Sequence, residues 1–210
     1  MTKEKMSTVR TFSPNNGLVE ERRRQIIQAA LRLLSTKGTQ KTGIREIARA
    51  SNMTIGNLYH YVGTREDIIY LAINHGISQV RELIKDISSQ CESLEPREAL
   101  RLAIDRYIRY HNQNWEGTVF IYQEMGSMTP ALRLPVLEIN SEMHDLFAGI
   151  IHRGYKDGSF GAADTALVTA TIVSMGDMWS LKRWYFKKTY SLDKFIDAFT
   201  GMILKVLGAE

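Results

Sequence analysis

The stretch Thr42–Val62, TGIREIARASNMTIGNLYHYV, is where residue types and spacing concentrate chemistry. Its second half is short, carries little charge and mixes small, polar and aromatic groups. Hydroxyls, an amide, phenols and an imidazole make a poor core and a good probe for a surface outside the protein. Covalent or metal chemistry has no comparable cluster. The five histidines, His60, His75, His111, His144 and His152, form no metal-ligand pair such as H-E-x-x-H. No G-x-S-x-G, P-loop or G-x-G-x-x-G occurs in context. Cys91 is the one cysteine, which excludes an internal disulfide and a multi-cysteine zinc site within one chain, and it fits a reducing compartment. No metal, cofactor or catalytic site is therefore expected. Convergence of His111, Glu124 and His144 would be the enzyme alternative, against a core or surface role for each.

The elements that must position this stretch are helical. Residues 1–17 lack apolar periodicity and read as a flexible arm, whose Lys3, Lys5 and Arg10 are candidate phosphate contacts. Glu20–Lys37 predicts a first helix, with Ile26, Ile27, Ala30, Leu33 and Leu34 at three- and four-residue spacing. Glu20 and Glu21 suit its first turn, and Gly38 ends it. Thr42 and Gly43 open a second helix that buries Ile44, Ile47 and Ala48. Ser51-Asn52 makes a tight turn, because Asn tolerates left-handed backbone. Thr54 caps a third helix, which Leu58 and Val62 dock on the first two. Thr64-Arg65-Glu66-Asp67 is a near capping box for a long fourth helix reaching about Ser89.

The rest is also helical. A fifth helix starts at Pro96 and runs to about Asn112, a sixth spans Trp115–Met125, and a seventh spans Leu134–Tyr155 with Pro135 in its first turn. An eighth spans Asp164–Lys187 and a ninth Leu192–Leu207, capped by Ser191. No strand alternation, repeat or low-complexity tract occurs. The expected fold is all-α with about nine helices: a three-helix module over 18–63 and a larger helical body over 64–210.

The last two helices are apolar beyond one face. A twofold dimer packing them as a four-helix bundle is the simplest arrangement. Its candidate interface is Leu167, Met178, Leu181 and Trp184 with Phe195, Phe199, Met202 and Val206. A central helix buried in a monomer is the other arrangement.

Of the 210 residues 44% are apolar, enough for a sizeable core. The net charge of +4 is unevenly spread. Residues 1–90 hold 14 Lys/Arg against 8 Asp/Glu, and residues 91–210 hold 13 against 15. A basic N-terminal part suggests a polyanion partner for that part; a solvated basic face is the bland alternative. The N-terminus has no signal-peptide apolar run, and Ala162–Trp179 is too short and polar to span a bilayer. A cytoplasmic protein with no membrane partner is expected.

The residues IREIARASNMTIGNLYHYVGTREDII resemble the DNA-binding signature of the TetR/AcrR family of bacterial transcriptional repressors. The pattern is carried by Thr42, Gly43, Ile47-Ala48, Asn52, Thr54, Leu58-Tyr59, His60-Tyr61, Val62 and Arg65-Glu66. The resemblance is specific over residues 20–75. It implies a helix-turn-helix whose second helix enters the major groove of double-stranded operator DNA. Ile55, Gly56 and Asn57 would then face base edges, with Asn57 suited to adenine. Tyr59 and His60 match phosphate or sugar contacts, and Arg65 a phosphate clamp. Thr42 and the amides at Gly43 match a phosphate site at a helix N-terminus. Ile55 and Gly43 depart from the usual polar residues there.

The resemblance also implies a homodimeric regulator with a small-molecule cavity in the body. Effector binding there shifts the fourth helix and releases a palindromic operator. Candidate lining residues are Tyr107, His111, Trp115, Tyr122, Met125, Met143, Phe147 and Trp179, with ordinary core as the alternative. WSLKRWYFKK, with Lys182, Arg183, Lys187 and Lys188, looks together with Phe120–Glu124 like family members that answer to fatty acyl-coenzyme A thioesters. A helical scaffold or adaptor would explain the body but neither the Thr42–Arg65 signature nor the charge split.

Overall fold

The apolar spacing of the chain is satisfied by helices throughout. The computed structural model describes residues 16–209, and among them there is no strand. Ten helices follow in order: α1 Asn16–Lys37, α2 Ile44–Ala50, α3 Ile55–Tyr59, α4 Arg65–Cys91 and α5 Pro96–Gln113. Then come α6 Trp115–Glu124, α7 Pro130–Asp157, α8 Thr165–Leu181, α9 Arg183–Thr189 and α10 Leu192–Val206. No helix among the described residues is long and apolar enough to cross a membrane.

Three boundaries differ from the sequence expectation. Helix α1 begins at Asn16, inside the expected arm, so Glu20 and Glu21 sit past its first turn. The arm's Lys3, Lys5 and Arg10 lie outside the described residues. Helix α7 begins at Pro130, placing Pro135 inside it. Pro130 takes the first helical position, where a missing N–H costs nothing. Leu132 and Arg133 amides donate to the Thr129 carbonyl at 3.0 and 2.9 Å, so the helix is already wound before Pro135. The expected eighth helix is two, broken at Lys182, so the described residues hold ten helices where about nine were expected. Trp179 and Phe186 explain the break. Seven residues along a straight helix they would stand about 10 Å apart, whereas their rings stack at 5.8 Å and both meet Phe195.

The chain forms two compact units. The first comprises residues up to Ile77 and residues 119–133. Its interior is Val19, Ile26, Ile27, Ala30, Leu34, Ile47, Ala48, Leu58, Val62, Ile68 and Leu71, all buried. Ile26, Ile27, Ala30, Leu34, Ile47, Ala48, Leu58 and Val62 are positions the helical spacing predicts, whereas the expected Leu33 and Ile44 are only half-buried. The second comprises residues 78–118 and 134–210. Its core runs through Ile87, Leu100, Ile104, Ile108, Phe147, Ile151, Ile172, Trp179 and Ile203. Helices α5 and α8 pack closely because residue 176 is glycine. A Cβ there would stand 2.3 Å from Tyr107 Cε1.

Candidate functional site

Local chemistry fixes the turn between α2 and α3. The Ser51 hydroxyl donates to the Ile47 and Ala48 carbonyls at 2.9 and 3.0 Å, closing the end of α2. Asn52 takes φ 55°, the left-handed conformation the turn requires. The amide of Asn57 donates to Thr54 Oγ1 at 3.1 Å, so Thr54 caps α3. Helix α3 has only five residues and owes its seat to Leu58, which is fully buried. Around that anchor, Ile55, Gly56, Asn57, Tyr59 and His60 are exposed. Five of the residues expected to read a surface therefore share one short, capped, outward-facing element.

The other four expected contacts divide, and the first, Thr54, is exposed with its hydroxyl oxygen engaged in the cap. Gly43 is exposed and stands at the N-terminal end of α2 in extended backbone. Thr42 is 1% exposed and its hydroxyl donates to the Gly38 carbonyl at 2.8 Å. It closes the loop and does not offer a donor outward. Arg65 is partly buried and engaged within the chain. Its Nε donates to the Thr42 carbonyl at 3.1 Å and its Nη2 to the Thr39 carbonyl, so it staples the α1–α2 loop to the start of α4. The capping box beside it forms with Asp in the third position. The Asp67 amide donates to Thr64 Oγ1 at 3.1 Å, and Asp67 Oδ2 accepts from the Thr64 amide at 2.8 Å.

Two contributors escaped the sequence reading. Arg23 Nε donates to the Tyr61 carbonyl at 3.0 Å, and Gln25 Nε2 donates to the Ser51 carbonyl at 2.7 Å. From α1 they hold the end of α3 and the end of α2. Burial lowers the Arg23 guanidinium pKa, against the opposing pull of Asp67 and Glu20. Only their place beside the apolar stripe of α1 hinted at this role.

The second unit contains a buried polar centre. His111 on α5 is buried; its Nδ1 is 3.1 Å from Thr118 Oγ1. The Tyr107 ring meets the His111 ring at 4.6 Å and the Phe147 ring at 5.7 Å, edge to face. Tyr107 donates its hydroxyl to the Val173 carbonyl at 3.2 Å. Burial pushes the His111 pKa down to about 3, so the imidazole is neutral. Its Nε2 lies 3.7 Å from Asp177 Oδ1, beyond hydrogen-bond reach, and a neutral ring makes no ion pair.

Of the expected lining residues, Tyr107 thus contacts both His111 and Phe147. Met143 belongs to the same buried core. Trp179 is buried on the Phe186 and Phe195 rings and donates Nε1 to Asn112 Oδ1 at 3.2 Å. Trp115 carries the Arg183 guanidinium over its ring at 4.8 Å. Tyr122 and Met125 fall in the first unit, with Tyr122 half exposed.

The expected interface residues also divide. Leu167, Trp184, Met202 and Val206 are exposed, at 66, 66, 48 and 56%. Met178 and Leu181 are half-buried. Phe195 and Phe199 are buried in the core of their own unit, where Phe195 meets the Trp179 ring and Phe199 stacks on Phe195. The wide apolar stripe of α10 serves two ends, its phenylalanines inward and Met202 and Val206 outward.

Comparison with known proteins gives this arrangement a context. Residues 26–70 match the model of the bacterial regulatory proteins of the tetR family, and residues 93–207 that of the tetracyclin repressor-like C-terminal domain. The chain is 28% identical over 200 residues to the HTH-type transcriptional regulator HbdR of Aromatoleum sp. (strain CIB), covering 95% of this chain and 85% of that one. It is 24% identical over 165 residues to the HTH-type transcriptional repressor KstR2 of Rhodococcus jostii (strain RHA1), covering 78% and 79%. The structure of AibR in complex with isovaleryl coenzyme A and operator DNA superposes with a TM-score of 0.71 at 22% identity, over 89% of this chain and 98% of that one. With the second match alone spanning more than half of the sequence, the chain belongs to the TetR family of transcriptional regulators, with an N-terminal DNA-binding and a C-terminal ligand-binding domain.

Proposed function

We propose that this chain is a homodimeric repressor that reads a palindromic operator with α3 and lets go when a small molecule enters its second unit. The observation that carries the reading is the exposure of Ile55, Gly56, Asn57, Tyr59 and His60 around the buried Leu58. A short helix, capped by Thr54 and clamped by Arg23 and Gln25, presents a fixed pattern of groups to a groove. Ile55, Gly56 and Asn57 face base edges, Tyr59 and His60 the backbone, and the Gly43 amide a phosphate.

The outward apolar residues Leu167, Trp184, Met202 and Val206 support pairing of two copies through α8 and α10. Val206→Glu places a charge in that face, and light scattering should then report a monomer. Helix α4 contributes residues to both compact units, which supports its role as the element that an effector moves. His111 and Thr118 beside apolar core supply polar groups that suit the polar end of an apolar effector.

A coenzyme A thioester fits this chemistry. Trp184, Tyr185, Lys187 and Lys188 leave aromatic and cationic groups exposed on α9, and AibR has been solved with isovaleryl coenzyme A. Calorimetric titration with saturated acyl-CoAs of increasing chain length tests the effector class. Saturable binding that lowers operator affinity supports it; no binding at any chain length refutes it.

A further inference from the structure

The first compact unit takes in residues 119–133 although the helix-turn-helix ends far earlier in the chain. That segment is the latter part of α6 and the turn after it, and two of its side chains land on the loop between α1 and α2. The Thr39 hydroxyl donates to Glu124 Oε1 at 2.7 Å. Gln123 Nε2 donates to the Ser35 carbonyl at 3.4 Å. Ser127 donates to Glu124 Oε2 at 3.2 Å, so both carboxylate oxygens are held. The carbonyl of Thr39 accepts from Arg65 and from the Thr42 amide. Thr39 is therefore gripped at its hydroxyl by α6 and at its carbonyl by α4. Gly43, three residues past the Thr39–Gln40 bond, opens α2 without any side-chain cap of its own. Its orientation depends on the loop that precedes it.

We propose that Glu124 and Gln123 are positioning residues for DNA reading: through Thr39 and Ser35 they fix the α1–α2 loop and the N-terminal turn of α2. The inference rests on the DNA-binding reading above. The same helix carries Thr118, which meets His111 at 3.1 Å, and Trp115, which lies under Arg183.

The test measures binding of the full-length protein to duplex DNA from just upstream of its own coding region. Thr39→Val, Glu124→Ala, the double variant and Glu124→Gln are compared, with thermal unfolding of each. Thr39→Val and Glu124→Ala should each weaken binding about 5-fold or more, the usual scale of coupling between linked sites. The double variant should be no weaker than either single one, because one interaction is removed in all three. Glu124→Gln should bind like the parent, since its amide oxygen still accepts from Thr39. The salt dependence should not change, because neither residue touches a phosphate. Unchanged or tighter binding by Thr39→Val, whose shape is preserved, overturns the proposal even if Glu124→Ala fails to fold. Additive losses in the double variant overturn it as well. Failure of the parent protein to bind any such DNA would instead overturn the reading on which it rests.

Discussion

Arg65 Nε lies 3.1 Å from the carbonyl oxygen of Thr42, so the first residue of α4 holds the residue that leads into α2. The family resemblance implies a phosphate clamp at Arg65; the geometry adds the role of a staple. The two roles separate in a salt titration. Arg65→Ala should lower stability by about 1.5–3 kcal/mol, the worth of hydrogen bonds from a charged group. It should weaken operator binding while leaving the slope of log affinity against log salt unchanged. A phosphate clamp would instead lose about 0.9 from that slope. Arg65→Lys should not restore stability, because an ammonium cannot reach two carbonyls in the fork geometry of a guanidinium.

Gly56 sets stability against binding. It sits in α3 with open space where a Cβ would go, so nothing in the chain requires glycine there. Gly56→Ala should stabilise the short helix by up to about 1 kcal/mol. Within a groove the same methyl would stand between helix and base edges, so operator affinity should fall about 10-fold. Chemical denaturation alongside an operator-binding isotherm checks both signs. A parallel rise in stability and affinity would place Gly56 away from the DNA.

The buried imidazole of His111 predicts acid sensitivity. Its folded pKa of about 3 lies below the ordinary value of 6.5, so between these values the unfolded chain holds the extra proton. Its contribution to stability is complete above pH 6.5 and declines by about 1.4 kcal/mol per pH unit as pH falls toward 3. Between pH 7 and pH 5 this group alone should cost about 2 kcal/mol. Urea unfolding of the parent and His111→Gln at the two pH values isolates it. The variant should show a shallower acid decline; parallel profiles would mean that His111 is reached by protons without unfolding.

Much of this was legible in the sequence because local physics and tertiary packing agree there. Thr54 caps α3, Asn52 adopts left-handed backbone, Thr64 and Asp67 close a capping box, and Leu58 is buried between exposed neighbours, all as spacing and side-chain chemistry require. What was not legible depends on partners distant in sequence. Thr42 reads as a free hydroxyl until Gly38 is found to accept from it, and Arg65 reads as a free cation until two carbonyls are found in reach. Phe195 and Phe199 share one apolar stripe with Met202 and Val206, and only packing divides it into inward and outward ends. The break at Lys182 follows from a Trp179–Phe186 stack that no helical periodicity encodes. Glu124 offers no local signal at all, because its partner Thr39 belongs to another helix pair.

The central claim is that the exposed face of α3 reads DNA. The most direct measurement is the salt dependence of binding to the duplex upstream of its own coding region, for the parent and Asn57→Ala. The parent should bind with a linear fall of log affinity in log salt, at a slope of about −0.9 per phosphate contacted. Asn57→Ala should keep that slope and lose about 1–3 kcal/mol of discrimination at one base pair. Absent or salt-insensitive binding by the parent, or an Asn57→Ala variant with undiminished discrimination, would contradict the account.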